Sequence, residues 1–244
     1  MTVVLIHGGG ATGAFWDRIV PFLDAPPLVV DLLGRRGRPA ALQTLTVDEE
    51  VASVVADIGA GAPEGPVTLV AHSSGGLVVP GVVAALDGRV GAIVLNAALV
   101  PAEGECGIAC MQERHCDGLR AAVAAAEKEG RSIILPAPSD PEALRRSYGG
   151  DPLDDATLAF VAGPERSVAD TVHHYFQPVR WSAAAGVPIT YVLNERDRPI
   201  RPDMQEVMVR RLPPPVEVIR LDSGHLLPVT SPAVFAQIVN RVAA

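Results

Sequence analysis

The stretch LVAHSSGG, residues 69–76, sets two serines between a histidine and paired glycines, directly after an apolar run that starts at Val67. That run ends at Ala71, Gly75 and Gly76 open a second apolar run toward Leu86, and Gly88 lies beyond its end. The pattern reads as strand, sharp turn and helix. A serine at the apex of such a turn is held in strained backbone geometry with its hydroxyl lifted clear of the sheet. That geometry requires small residues two positions to either side. Ser73 has Ala71 and Gly75 at those positions. Ser74 would have His72 and Gly76, and the histidine ring would collide with the helix packed there. Ser73 is therefore the candidate nucleophile.

The wider chain has room for the fold this turn needs. Its 244 residues, 48% of them hydrophobic, suffice for one large α/β domain with a full core. The formal net charge is −8, with Lys and Arg scattered, so nucleic acid and anionic lipid are not expected partners. The apolar region from Gly75 to Val100 is broken by Pro80, Asp87 and Arg89, too soon for a membrane span. The opening MTVVLIHGGG lacks secretory-signal features, so a cytoplasmic location is expected.

Strand-like runs recur at Thr2 to Ile6, Leu28 to Asp31, Val67 to Ala71, Ala92 to Asn96, Ile189 to Leu193 and Val216 to Leu221. Helical periodicity lies between the early ones. Phe15, Ile19, Phe22 and Leu23 share one face, as do Val47, Val51, Val54, Val55 and Ile58, and Thr46 with Glu49 has capping-box spacing. Near-continuous apolar strands separated by amphipathic helices imply a mostly parallel central sheet of about six strands with helices on both faces. Active residues are then expected at the carboxyl ends of the strands. Between about Val100 and Gly186 the alternation stops. Helical patterns at Leu119 to Glu129, Pro141 to Tyr148, Asp155 to Val161 and Val168 to Phe176 follow one another with no convincing strand between them. The expected division is a core of residues 1–99 and 187–244 with a helical lid insertion at 100–186. Farther on, Pro202 and Pro232 sit like first-turn helix prolines and Ser231 like an N-cap.

With AHSSG in the place of the usual GxSxG, the sequence resembles the α/β-hydrolase fold. Alanine at the first position is a departure that adds only a methyl group. HGGG at His7 to Gly10, after the opening strand, is similar to the family's oxyanion loop. The resemblance implies backbone N–H donors at Gly9 and at Ser74, aimed where a carbonyl oxygen becomes negative. A serine needs a base and the base an orienting carboxylate. YVLNERD places Asp197 just past one strand and VIRLDSGH places His225 after the next, giving the family's Ser, Asp, His order. Glu195, Asp203 and Asp222 are rival carboxylates; Asn96, where some relatives carry the acid, cannot ionise. His7 and His72 read as packing and hydrogen-bonding residues.

A serine at the elbow argues for acyl transfer, because dehalogenases and epoxide hydrolases of this fold carry aspartate there. IHGGGATGAFW and DLLGRRG resemble a subgroup of small-molecule esterases, hydroxynitrile lyases and bacterial relatives. The lyases typically carry threonine and lysine where this chain has Gly8 and Leu226, so cyanohydrin cleavage is disfavoured. The implied activity is a cofactor-free serine hydrolase acting on a small apolar ester, lactone or thioester. Carbon–carbon bond hydrolysis or other chemistry on the same triad, such as cofactor-free oxidation, and a non-catalytic small-molecule receptor are the alternatives, and the expected assembly is a monomer or homodimer. Expected pocket residues are Gly8, Tyr148, Phe160, His174, Phe176, Trp181 and Leu226, although helix-spaced aromatics more often pack in a core. Of His173 and His174, one is expected buried and one solvated. Arg35, Arg36 and Arg38 read as a solvated turn. Cys106, Cys110, His115 and Cys116 are all zinc-ligand types, but their spacing matches no standard zinc pattern, so free thiols or a local disulfide are expected and no metal.

Overall fold

The computed structural model describes residues 1–244, apart from the side chains at positions 114 and 115. Six strands form one sheet: β1 (Thr2–Ile6), β2 (Leu28–Val30), β3 (Val67–His72), β4 (Val90–Asn96), β7 (Ile189–Asn194) and β8 (Val216–Leu221). Their order is β2-β1-β3-β4-β7-β8, and every pairing is parallel. Alternation along the strands divides the core into two layers, because successive side chains leave opposite faces. Val4, Ile6, Leu69, Ala71, Ile93, Leu95, Tyr191 and Leu193 enter one cluster. Val3, Leu5, Val70, Val94 and Val192 enter the other.

Helices α1 (Val47–Gly61), α2 (Val79–Ala85) and α6 (Pro202–Val209) contribute to the first layer through residues such as Val54, Val82 and Met208. The second layer is covered by α8 (Pro232–Ala243) through Phe235 and Val239, with Phe15, Trp16 and Ile19. The Thr46 side chain accepts from the Glu49 N–H while the Glu49 side chain accepts from the Thr46 N–H, so α1 starts at a full capping box. A one-turn helix α7 (Leu227–Thr230) precedes α8.

The chain leaves the sheet after β4 and returns at β7. Between them lie α3 (Glu113–Lys128), α4 (Pro141–Ser147), α5 (Asp155–Ala162) and a short antiparallel pair, β5 (Ile134–Leu135) with β6 (Asp170–Thr171). The ends of this excursion are built into the main core: Ile108, Cys110, Tyr175, Val179, Trp181 and Ala184 all belong to the first cluster.

Three sequence expectations change. The helix expected on Phe15 to Leu23 is two separate 3-10 turns, Gly13–Trp16 and Val20–Phe22, and Phe22 is exposed. Pro21 has no N–H to donate to Asp17 O and its ring crowds that carbonyl, so one α-helix cannot run through both turns. The helix expected on Val168 to Phe176 is instead β6 followed by a 3-10 turn, His173–Phe176. Here long-range pairing wins over local periodicity: Val168 N–H donates to Gly10 O at 2.9 Å and Thr171 pairs with Ile134. Ser231 occupies the N-cap position of α8, but its side chain makes no capping hydrogen bond.

Gly75 shows how tightly the sheet's centre closes. A Cβ there would lie 2.5 Å from His7 O and 3.0 Å from Ile6 O, both fixed backbone atoms. Gly75→Ala is expected to cost about 2 kcal/mol through overpacking. Thermal denaturation should show this as a fall in Tm of roughly 4–8 °C.

Candidate active site

The sheet changes direction of winding at β1, which has β2 on one side and β3 on the other, and this opens a crevice at the strands' carboxyl ends. HGGG leaves β1 and HSSGG leaves β3 into that crevice. Ser73 sits at the elbow apex with φ +52°, a left-handed conformation that costs a non-glycine residue energy and is tolerated only where surrounding structure enforces it. The enforcement is backbone contact on several sides. Leu99 N–H donates to Ser73 O at 2.9 Å. A Cβ on Gly76 would lie 2.7 Å from Leu99 O, and one on Gly8 would lie 2.8 Å from Ser73 Cβ. Ser73 lines the cavity, whereas Ser74 is buried.

His225 follows β8 and Asp197 follows β7. His225 Nδ1 and Asp197 Oδ2 are 2.7 Å apart, both side chains buried, and Asp197 Oδ1 accepts from Ile200 N–H at 2.7 Å. Burial, the largest single influence, favours the neutral imidazole. The charge and hydrogen bond of Asp197, with the charge of Asp151, outweigh it and raise the His225 pKa. The Ser73 hydroxyl and the His225 ring line the same two cavities without a direct hydrogen bond. Such bonds often tighten only when substrate is bound. The rival carboxylates are engaged at the surface: Asp203 with Arg201, Asp222 with Arg196, and Glu195 with Arg220.

His7 is buried. It donates from Nδ1 to Gly8 O at 2.9 Å and accepts at Nε2 from Leu32 N–H at 3.1 Å, which ties the glycine loop to the end of β2. Burial, reinforced by the nearby Arg35 charge, lowers its pKa to about 4, so it stays neutral. His72 stacks on Phe15 with ring centroids 4.8 Å apart, and its Nδ1 lies 3.1 Å from Asn96 Nδ2. Asn194 Nδ2 donates to Asn96 Oδ1 at 3.1 Å and Ser223 Oγ donates to Asn194 Oδ1 at 3.0 Å. This buried chain links the carboxyl ends of β3, β4, β7 and β8. Only Asn96 and His72 had drawn notice in the sequence, and neither as part of a chain.

Two further groups reach the site from the excursion between β4 and β7, and sequence reasoning found neither. Asp151 Oδ2 accepts from Leu226 N–H at 3.1 Å and Oδ1 from Thr230 Oγ1 at 3.3 Å, beside His225. A Cβ on Gly224 would run into the Asp151 carboxylate, so glycine is required next to the candidate base. Burial raises the Asp151 pKa. On the opposite side, Asp170 Oδ2 accepts from Gly10 N–H at 2.7 Å, and Asp170 forms an ion pair with Arg35. Arg35, expected in a solvated turn, is only 1% exposed and also donates from Nε to Ala11 O at 3.0 Å. The expectation failed because the partner lies 135 residues away.

Two cavities meet at Gly9, Ser73, Tyr148 and His225. One, of about 1440 Å³, opens to solvent past Gln112, Arg146, Arg198 and Asp203, with Tyr175 and Leu99 inside. The other is a chamber of about 50 Å³ against Gly8, Phe15, Phe160, Val161 and Leu226. Of the expected pocket residues, Gly8, Tyr148, Phe160 and Leu226 line cavities. Trp181 lies in the core and Phe176 packs against it. His174 is buried with its Nδ1 3.4 Å from Glu50 Oε2, and His173 is half-buried. None of Trp181, Phe176 and His174 lines either cavity. Tyr175 faces the site instead. The mouth is charged.

Cys106, Cys110 and Cys116 are free thiols, and Cys116 Sγ donates to Ile108 O at 2.9 Å; the side chain of His115 lies outside the described residues. Among the described residues, no group of His, Cys, Asp and Glu could hold a metal, and no helix is long and apolar enough to cross a membrane.

A model of the alpha/beta hydrolase family matches residues 3–238. Solved structures with the same fold include an extracellular α/β-hydrolase from a Paenibacillus species, described as sharing homology with tobacco salicylic acid binding protein 2. It is 18% identical, with 100% of this chain and 99% of that one covered and a TM-score of 0.79. A pyrethroid hydrolase from Sphingobium faniae is 23% identical, with 100% and 97% covered and a TM-score of 0.77. A methylesterase from Arabidopsis is 20% identical, with 99% and 98% covered and a TM-score of 0.71. No curated protein sequence matches the chain.

The raised His225 pKa places the acid limb of any reaction needing neutral imidazole above the ordinary histidine value. Asp151 contributes to that rise, so Asp151→Asn is expected to shift the limb to lower pH in a kcat/KM profile; a limb that stays put would remove Asp151 from the electrostatics of the base.

Proposed function

The chain belongs to the alpha/beta hydrolase family, and from that premise we propose that it is a serine hydrolase cleaving carboxylic esters through an acyl-enzyme. Ser73 Oγ attacks the ester carbonyl while His225 Nε2 takes its proton. Asp197 fixes the imidazole tautomer through Nδ1 and stabilises the imidazolium. The tetrahedral oxyanion is received by the N–H groups of Gly9 and Ser74. His225 then protonates the departing alcohol, the acyl–Ser73 ester forms, and water activated by the same imidazole hydrolyses it. The observation that carries this reading is the 2.7 Å His225–Asp197 contact on a ring that shares both cavities with a conformationally strained Ser73. Structural neighbours described as a pyrethroid hydrolase and a methylesterase support ester cleavage.

The two cavities support an ester with two unlike arms. A short alkyl or aryl-poor arm fits the 50 Å³ chamber, while a larger and more polar arm lies in the open cavity. The excursion of residues 100–186 acts as the wall of that open side.

A fluorophosphonate is expected to label Ser73, and Ser73→Ala to abolish labelling and lower kcat on p-nitrophenyl acetate by about 10⁴- to 10⁶-fold. Tight binding of esters with no turnover and no labelling would instead indicate a receptor. Val161 lines only the small chamber. Val161→Ala should therefore raise kcat/KM for butyryl over acetyl esters, or for butyl over methyl esters, by roughly 10-fold. An unchanged ratio in both series would exclude the chamber as a substrate arm.

A further inference from the structure

We propose that Tyr175, carried by the excursion between β4 and β7, is a positioning residue for the oxyanion site, holding Gly9 and Ser74 in register. This deepens the serine hydrolase reading and rests on it. A Cβ on Gly9 would lie 2.5 Å from Tyr175 Oη, 2.9 Å from Asp170 Oδ2 and 3.1 Å from Ser74 Oγ. Three oxygens, two from the Asp170–Tyr175 stretch and one from the turn after β3, thus converge on one point above Gly9. The Tyr175 and Ser74 hydroxyls therefore crowd the same open side of Gly9. The phenolic oxygen thus packs on Gly9 at the point where Ser74 also meets it, next to both residues assigned the oxyanion N–H groups.

The phenol is itself fixed. Its ring is 7% exposed and meets the His174 ring edge-on, with centroids 4.2 Å apart and planes at 76°. His174 is held toward Glu50, and Asp170 is anchored by Arg35 and by the N–H groups of Gly10 and Thr171. Burial and then the Asp170 charge keep the phenol protonated well above its ordinary range. It acts as a fixed dipole and not as an acid or base. Because Tyr175 also lines the open cavity beside Ser73, the brace lies next to where chemistry occurs.

Tyr175→Phe removes the oxygen and keeps the ring. Expected are a kcat lower by roughly 10- to 100-fold, a misalignment effect, a KM within about 3-fold, an unshifted pH profile and slower fluorophosphonate labelling of Ser73. Ser74→Ala should show the same loss, and the double variant should be no worse than the poorer single one. A kcat within about 2-fold of the parent, losses that multiply in the double variant, or a displaced alkaline limb would each overturn the proposal. If Tyr175→Phe does not fold, Ser74→Ala alone carries the same expected kcat loss and the same overturning result. Failure of the parent protein to label at Ser73 would remove the hydrolase reading, whereas labelling of parent and Tyr175→Phe at equal rates would remove only the role of Tyr175.

Discussion

The site depends on two backbone segments approaching closer than any side chain allows. Gly75 meets His7 O and Ile6 O, and Gly8 meets the Cβ of Ser73, so the turn after β3 is pressed against the loop after β1. Hydrophobic burial supplies the force that closes the sheet, but it is non-directional and cannot aim an N–H group. The missing Cβ atoms convert that closure into a fixed approach of the Ser73 turn to the glycine loop. His7 secures the arrangement from behind by remaining neutral, with one ring nitrogen donating and the other accepting.

Around this contact the polar groups are arranged in two layers of support. Beneath the sheet's carboxyl edge, the His72–Asn96–Asn194–Ser223 chain joins four strands in an environment where an unpaired amide would be costly. Above it, the excursion between β4 and β7 reaches down on both sides, with Asp151 on the loop of His225 and Asp170 on the loop of Gly10. Breaking the buried Arg35–Asp170 pair by removing one partner would leave an uncompensated charge, worth about 3–5 kcal/mol.

What was legible in the sequence was local. Ser73 could be chosen over Ser74 because an elbow's steric demand is set by residues two positions away, and the strand runs were visible because both sheet faces are buried. The order of Ser73, Asp197 and His225 could be read because each directly follows a strand. Arg35 with Asp170 could not, since a charged residue in a GRRG turn carries no mark of a partner that arrives from another segment. The same holds for Asp151, whose only sequence trace is the glycine at 224. Trp181 and Phe176 were misassigned because an aromatic residue looks alike whether it packs in a core or faces a cavity. Pro21 was visible, yet its power to divide a helix was outweighed by periodicity.

The excursion is thus uneven in what it can tolerate. Its outer part, with α3 and α4, borders the mouth of the open cavity, while the stretch from Glu165 to Tyr175 is bonded into the glycine loop through Thr12, Gly10 and Ala11. Evolution or a protein engineer could exchange the outer helices to retune which molecules enter, leaving the reaction intact. A transplant whose junction fell after Glu165 would carry away part of the machinery itself.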